Sequence, residues 1–343
     1  MPSDVLHDRI HTRLISRKNR NILRRLSDPT DLIDFSSNDY LGLSKNRTLR
    51  EQFLGALAQR PYILGSGGSR LLDGNTPEHV RLERRLAQFF NAPAALFFSS
   101  GYDANVGFFT CVPQKGDTVI YDALIHASVH DGIRASRVPS ASRIPFQHNS
   151  VESLESIIAS LLKRDENLAN GSVCLWVAVE SLYSMDGDIA PLDQIIDLVE
   201  KMCPLGNGHV IVDEAHSTGI YGPDGRGLVA MANLENRVLV RLHTFGKALA
   251  SNGGMYTSYL LLGHFARSIA KNDEILVAVI LTKPWLREYL INYSRPLIYT
   301  TAPANYNSIA IQCTLDVLES SIGRQVWSLT AIAVPPRHAH IFL

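Results

Sequence analysis

The chain has 343 residues, of which 45% are hydrophobic, so it can form one large domain or two domains of medium size. Lys and Arg together number 33, as do Asp and Glu, which leaves a net charge of zero at pH 7. This balance excludes proteins that bind nucleic acid or an anionic membrane by bulk electrostatics, and no run approaches the roughly 20 apolar residues of a membrane span.

The cysteines are few and widely spaced, a pattern that argues against a zinc site or a disulfide framework. They are Cys111, Cys174, Cys203 and Cys313. Together with the lack of an apolar signal segment after Met1, they predict an intracellular protein, with the cytoplasm as the expected compartment. Residues 1–25 hold seven Lys or Arg against two acids. This segment is interpreted as a solvated helix, which leaves a mitochondrial or peroxisomal location open.

In chain order, the sequence predicts an N-terminal helix and arm over residues 1–45, followed by β-branched apolar runs that alternate with helical patterns. The predicted strands are Ala94–Phe98, Thr118–Tyr121, Cys174–Glu180, His209–Asp213, Val238–Phe245 and Leu276–Leu281. The predicted helices include Pro77–Asn91, Val151–Leu162 and Pro191–Lys201. Thr76 before Pro77 is typical of a helix start. The alternation predicts an α/β fold, in which helices cover both faces of a mostly parallel sheet.

Ligands of such sheets bind at the carboxyl ends of the strands, and in this chain polar residues collect there. The polar segments are 99–102 (SSGY), 125–128 (IHAS), 181–188 (SLYSMDGD), 213–217 (DEAHS) and 243–247 (HTFGK). Because the ends of parallel strands lie along one edge of a sheet, these segments are expected to converge on a single site.

Two motifs are typical of other classes of protein, but the further residues that those classes require are missing. Asp213–His216 spells the DEAH box of helicases, yet the phosphate loop GxxxxGK[ST] is missing, because Arg241 and Ala248 occupy two of its positions around Gly246-Lys247. The glycine-rich segment 65–70 lacks the third glycine of a dinucleotide fingerprint, and a mobile loop is its default interpretation. The HExxH arrangement of zinc enzymes is also absent, so no metal site is expected.

Three of the polar features together fit pyridoxal 5′-phosphate (PLP). A lone lysine after a strand is usually solvated, but Lys247 follows an apolar strand and precedes small residues, a setting that can desolvate its amine for Schiff-base chemistry. Asp213 could be an ordinary helix cap, whereas a buried aspartate would pair with a pyridinium nitrogen. The segment around Gly101 and Tyr102 opens a helix and can bind a phosphate.

The order of these motifs resembles that of the α-oxoamine synthases, PLP-dependent acyltransferases within the fold-type I aminotransferase superfamily. The matching segments are 35–44 (FSSNDYLGLS), 65–75 (GSGGSRLLDGN), 99–105 (SSGYDAN), 126–128 (HAS), 184–188 (SMDGD), 212–219 (VDEAHSTG), 222–227 (GPDGRG) and 244–247 (TFGK). The resemblance covers the chain from about residue 10 to 320 and implies a fold-type I large domain.

The resemblance also implies roles for single residues. Lys247 matches the lysine that bonds to the cofactor and shuttles the α-proton, and Asp213 matches the partner of the pyridine nitrogen. His126 matches the imidazole stacked on the ring, while His216 matches the group bonded to the phenolic oxygen, with Ser184 nearby.

Further positions correspond to contacts with the phosphate and with the substrate. Gly101, Tyr102 and Thr244 match cofactor-contacting groups, with Thr244 close to the phosphate. Asn38 and Arg24 match substrate-contacting residues. Thr300-Thr301 match a segment that reaches the phosphate of the partner subunit, which implies a homodimer.

The implied reaction condenses an amino acid with an acyl-CoA, with loss of CoA and CO₂, to an α-aminoketone. In the subfamily that the chain resembles most, the substrates are L-alanine and pimeloyl-CoA on the route to biotin. Other subfamilies share most of these motifs. A different fold-type I reaction such as transamination, and an inactive or regulatory paralogue that pairs with an intact homologue, remain open as alternatives.

The chain departs from the family pattern in two places. Residues 46–325 are interpreted as the PLP-binding large domain, but 255–275 read as an insertion without counterpart beside the lysine loop. The family's small C-terminal domain, with its carboxylate-binding arginine, is expected to be truncated and replaced by an unrelated tail over 326–343. We hypothesise that both features arise from an error in the gene model or from a degenerate gene copy.

Overall fold

The computed structural model describes residues 4–25, 33–251 and 277–320, which form two compact units that divide between Ser37 and Asn38. The predicted insertion 255–275 and tail 326–343 lie outside the described residues. In the first unit, helix α1 (Val5–Asn19) begins at Asp4, whose carboxylate accepts hydrogen bonds from two free N–H groups of the first turn. None of the side chains of α1 is buried.

In the described part of the second unit, seven strands form one sheet. They are β1 (Ala94–Phe98), β2 (Thr118–Asp122), β3 (Arg143–Phe146), β4 (Leu175–Glu180), β5 (Gly208–Asp213), β6 (Val240–Thr244) and β7 (Ala278–Thr282). Their spatial order is β1-β7-β6-β5-β4-β2-β3. Strand β7 runs antiparallel to both neighbours, and the other pairs are parallel. Strands β1, β2, β4, β5 and β6 therefore end at the same edge.

Helices precede β1, lie between the strands from β1 to β6 and follow β7. They are α2 (Arg47–Ala58), α3 (Pro77–Phe89), α4 (Gly101–Cys111), α5 (Ala127–Ala135), α6 (Val151–Arg164), α7 (Glu166–Ala169), α8 (Leu192–Met202), α9 (Leu228–Met231), α10 (Pro284–Tyr293), α11 (Arg295–Tyr299) and α12 (Asn305–Glu319). Short 3₁₀ turns occupy Leu43–Lys45, Ser140–Ser142 and Pro223–Gly225. Among the described helices, none is long and apolar enough to cross a bilayer.

The sheet lies between apolar layers on its two faces, as the largely apolar central strands predict. Successive side chains of a strand point to opposite faces, so Ile211 of β5 joins the cluster built with α4, α5 and α10. Val210 and Val212 join the opposite cluster, built with α6 and α8. All six residues of β4 are buried. The α/β fold with a mostly parallel, two-faced sheet is thus confirmed.

Six predicted strands and the three named helices are present, with ends that differ by a residue or two. Thr76 precedes α3 as predicted, and its backbone N–H donates to Nδ1 of His79 at 3.1 Å. Strand β3 was not predicted. It is short and contains Arg143 and Pro145, so its sequence lacks the apolar run of a central strand. Within the described sheet it lies at the edge and pairs with β2 alone.

Candidate active site

The amine of Lys247 begins a chain of hydrogen bonds at the carboxyl edge of the sheet. Its Nζ lies 2.8 Å from Nε2 of His216, whose Nδ1 lies 2.8 Å from the hydroxyl of Tyr40. That hydroxyl donates to Oδ1 of Asn38 at 2.9 Å. Burial, reinforced by the charge of Lys247, lowers the pKa of His216 to about 3, so its imidazole is neutral at neutral pH. The partners then fix the tautomer: Nε2 accepts from the amine, and Nδ1–H donates to Tyr40.

The carboxylate of Asp213 ends β5 and is 6% exposed. Its Oδ1 accepts from the backbone N–H of Ala215 at 2.9 Å, and its Oδ2 accepts from Nδ2 of Asn105 at 2.8 Å. Both donors are neutral, so they orient the carboxylate without neutralising its charge. A buried carboxylate held in this way is suited to pairing with a cationic ring nitrogen.

Asn105 also connects Asp213 with the imidazole of His126. Its Nδ2 lies 3.0 Å from Oγ of Ser128, and the same Oγ lies 2.7 Å from Nδ1 of His126. Partial desolvation lowers the pKa of His126, the charge of Lys247 acts in the same direction, and the charge of Asp213 opposes both. His126 therefore presents a neutral ring whose orientation is fixed through Ser128.

Glu180 is a site residue that the sequence analysis missed. It ends β4 with 3% exposure and is the register partner of Asp213 in the sheet. Burial and the charge of Asp213 raise the pKa of Glu180 to about 8, against the effects of Lys247 and of the His126 N–H. Its Oε1 accepts no hydrogen bond within the described ranges. The predicted polar segment after β4 begins at Ser181, one residue later. The signal that identifies Glu180 is an acidic residue at the end of an apolar strand, as Asp213 is at the end of β5.

The start of α4 is the place where the sequence predicts that a phosphate binds. Ser100 is the N-cap, and its Oγ accepts from the N–H of Asp103 at 2.9 Å. A Cβ on Gly101 would lie 2.7 Å from Cγ2 of Thr244, so glycine allows α4 to approach the end of β6. The hydroxyl of Thr244 donates to the carbonyl of Ala215 at 3.3 Å. The structure thus brings Gly101 and Thr244 together beside free N–H groups of a helix N-terminus.

Other predicted residues lie around this edge. Tyr102 is 45% exposed, and its hydroxyl donates to the carboxylate of Asp131. Thr301 is exposed and forms an antiparallel bridge with Ser69, and its carbonyl accepts from Oγ of Ser99 at 3.5 Å. These contacts join the glycine-rich segment to the start of α4.

One predicted residue of the second unit is not joined to this network by a described contact. Ser184 is partly buried in the turn that follows β4. Arg24 is exposed in the extended chain after α1 and belongs to the first unit. Their roles remain predictions from the resemblance.

The glycine-rich segment 65–75 is anchored, although a mobile loop was its default interpretation. Arg70 is nearly buried and pairs with Oε1 of Glu83 at 2.9 Å, and its Nε donates to Asn75 at 2.8 Å. Oε2 of Glu83 pairs in turn with Arg287 at 2.7 Å. The segment is therefore tied to both α3 and α10.

Residues 30–321 match the family model for aminotransferase class I and II, so the chain belongs to that family. It is 44% identical over 300 residues to 8-amino-7-oxononanoate synthase of Emericella nidulans, covering 87% of this chain and 66% of that protein. It is 39% identical to an aminoacyl transferase of Aspergillus fumigatus, covering 82% and 54% of the two chains. The described site therefore lies on a fold-type I aminotransferase scaffold.

Among solved structures, a serine palmitoyltransferase with PLP superposes with a TM-score of 0.71 at 25% identity, covering 95% of this chain and 76% of the other. The similarity thus extends to an α-oxoamine synthase, in agreement with the motifs. This chain spans between 54% and 67% of the length of the curated relatives that it matches.

Proposed function

We propose that the protein is a PLP-dependent C-acyltransferase that condenses an amino acid with an acyl-CoA, with decarboxylation, to an α-aminoketone. The observation that carries this proposal is the convergence of the Lys247 amine, the Asp213 carboxylate and the N-terminus of α4 at one sheet edge. The similarity to 8-amino-7-oxononanoate synthase supports L-alanine and pimeloyl-CoA as substrates, as in biotin biosynthesis.

The residues present fit PLP. Asp213 would pair with the ring nitrogen, Lys247 would hold the aldehyde carbon, and the N–H groups at Gly101 would bind the phosphate, with Thr244 beside them. His126 would lie against the ring. When bound, PLP supplies an electron sink that makes loss of the amino acid's α-proton easier.

The neighbours of Lys247 control where protons reside. The neutral His216 accepts a hydrogen bond from the amine of Lys247 and so orients its Nζ. Lys247 can release and recover a proton at this Nζ. Asn105 holds the carboxylate of Asp213 in one orientation. Glu180 retains its proton at neutral pH and adds no second negative charge beside Asp213, because its pKa is raised to about 8.

Absorption spectroscopy with PLP and turnover assays test the proposal. The wild-type chain should develop a visible band that Lys247→Ala abolishes and that the exposed-lysine control Lys115→Ala retains. Alanine with a panel of acyl-CoAs should then release free thiol, measured with a thiol reagent. Absence of the band would contradict the cofactor, whereas a band with pyruvate formation and no thiol release would favour transamination.

We further propose that the enzyme is a homodimer in which Thr301 contributes to the phosphate site of the partner subunit. The exposure of Thr301, which leaves this residue accessible to a second copy of the chain, supports this arrangement. Sedimentation should give a dimer, and Thr301→Ala should weaken PLP binding more than Thr300→Ala. A monomer with wild-type PLP affinity would contradict it.

We also propose that the protein works inside the cell, in the cytoplasm. Its cysteines are unpaired and three of them are buried, which suits a reducing compartment. Fractionation of cells that express a tagged chain tests this proposal, and recovery with mitochondria or peroxisomes would contradict it.

A further inference from the structure

His148 and two aspartates form an ionic cluster that is not part of the hydrogen-bond network around Lys247 and Asp213. The ring of His148, just after β3, lies between two carboxylates: Nδ1 is 2.7 Å from Oδ1 of Asp122, and Nε2 is 2.7 Å from Oδ2 of Asp188. Asp122 is fully buried, and the side chains of His148 and Asp188 are 23% and 28% exposed. Both ring nitrogens thus face acceptors, which favours the doubly protonated imidazolium.

The cluster ties together three separate segments. Asp122 ends β2, His148 follows β3, and Asp188 closes the loop that begins after β4. The neighbouring Asn149 strengthens the tie, since its backbone N–H donates to Oδ2 of Asp122 at 2.9 Å and its Nδ2 donates to Oδ2 of Asp188 at 2.6 Å.

The loop 181–188 is held at both ends. At its start, the N–H of Ser181 donates to the carbonyl of Asp213 at 2.9 Å. At its end, the carbonyl of Asp188 accepts from the N–H of Tyr183 at 3.0 Å, and the carboxylate of Asp188 bonds to His148. Ser184 lies between these ends.

Some of the groups that face the ring of His148 favour its charged form. Those that do so are the carboxylates of Asp122 and Asp188. The Nδ2 of Asn149, 3.4 Å from Nε2, and the phenol ring of Tyr183, which packs edge-on at 4.5 Å between centroids, also face the ring. Burial acts against the charge, but the hydrogen bonds to Asp122 and Asp188 outweigh it, so the pKa of His148 is raised.

We propose that His148 is a positioning residue, whose ion pairs with Asp122 and Asp188 hold the 181–188 loop against β2 and thereby fix the place of Ser184 at the sheet edge. The positioning role rests on the proposed function, in which Ser184 lies near the cofactor. We call the ion pairs of His148 with Asp122 and Asp188 the latch, and the latch forms in the chain without any cofactor.

Hydrogen–deuterium exchange of the cofactor-free chain tests the latch without any activity. We expect faster exchange of residues 181–189 in His148→Gln and in Asp188→Asn, which keeps the side-chain volume. His209→Gln is the matched control, because His209 is also partly buried but lies at the other end of β5, against Trp176. Asp188→Asn decides the result should His148→Gln not fold.

The dissociation constant of PLP tests whether His148 fixes the place of Ser184. It should rise about tenfold in His148→Gln and Asp188→Asn, the loss of roughly one charge-assisted hydrogen bond, and stay unchanged in His209→Gln. In the wild type, the loop's protection should decrease as pH rises through the raised pKa of His148, since the ring loses its charge. Unchanged loop exchange would overturn the latch, and faster exchange with unchanged PLP affinity would overturn the positioning role. A wild-type chain that does not bind PLP would contradict the proposed function, while exchange still decides the latch.

Discussion

At Gly227, one added methyl group should remove a large part of the protein's free energy of unfolding. Its φ is +96° and its ψ is 178°, a region that only glycine adopts without strain. A Cβ there would lie 2.5 Å from Oε1 of Glu214 and 2.7 Å from its Oε2. Glu214 is fully buried next to Asp213, so it has no space into which to move.

The cost of Gly227→Ala has two sources. The backbone strain is about 1–3 kcal/mol. Displacing Glu214 also breaks the bonds of its Oε1 with the N–H of Val229 at 3.0 Å and the hydroxyl of Ser217 at 3.2 Å, each worth about 1 kcal/mol or more in a buried setting. The free energy of unfolding should therefore fall by ~4 kcal/mol.

Urea denaturation followed by circular dichroism measures this loss. Gly206→Ala is the matched control, because its φ is +77° but a Cβ there meets nothing within 4 Å, so it should cost about 1 kcal/mol. The cost of Gly227→Ala should also shrink in a Glu214→Ala background, where the contact is gone. Equal losses for the two glycine variants, or no coupling with Glu214, would refute the steric reasoning.

Three further predictions concern the site. Asn105→Ala should weaken PLP binding by about tenfold with unchanged circular dichroism, because Asp213 loses an orienting donor. Gly101→Ala should weaken it more, since the new Cβ meets Thr244 at 2.7 Å; fluorescence titration measures both. The folded-state pKa of Glu180 is raised from 4.5 to about 8, so in the cofactor-free chain its contribution to stability should fall as pH rises through this window and then level off. Glu180→Gln should remove that decline in urea denaturation at pH 5 and pH 9.

Each of these predictions has an outcome that contradicts it. Wild-type PLP affinity in Asn105→Ala would mean that the backbone N–H of Ala215 alone orients Asp213. Tight PLP binding by Gly101→Ala would show that α4 can move away from β6 without loss. A stability difference between Glu180→Gln and wild type that is independent of pH would contradict the raised pKa of Glu180.

The sheet, and the position of Lys247 and Asp213 at its carboxyl edge, could be predicted because both depend on local patterns. Residues Leu175–Val179 of β4 form an apolar run, Asp213 ends a predicted strand, and Lys247 lies two residues beyond another. Parallel pairing then brings such strand ends together, whatever their separation along the chain. Charged or proline-containing edge strands such as β3 carry no comparable signal.

The supporting residues could not be predicted in this way. Asn105 lies in the middle of α4, and its importance comes from the two partners that folding brings to its amide. Tyr40 is 176 residues from His216, and only the tertiary structure places their side chains in contact. His148 lies beyond an unpredicted strand, so its two carboxylate partners could not be inferred.

The antiparallel direction of β7 has a consequence for how the protein is made on the ribosome. Within the described sheet, β1 pairs only with β7, and Ala94 lies opposite Thr282. Strands β2 to β6 can pair as they emerge, whereas β1 must wait until the chain has been synthesised past residue 282. Its Phe97 and Phe98, buried in the final fold, stay without their strand partner for most of synthesis. We therefore expect β1 to be the strand on which nascent-chain chaperones and early misfolding act.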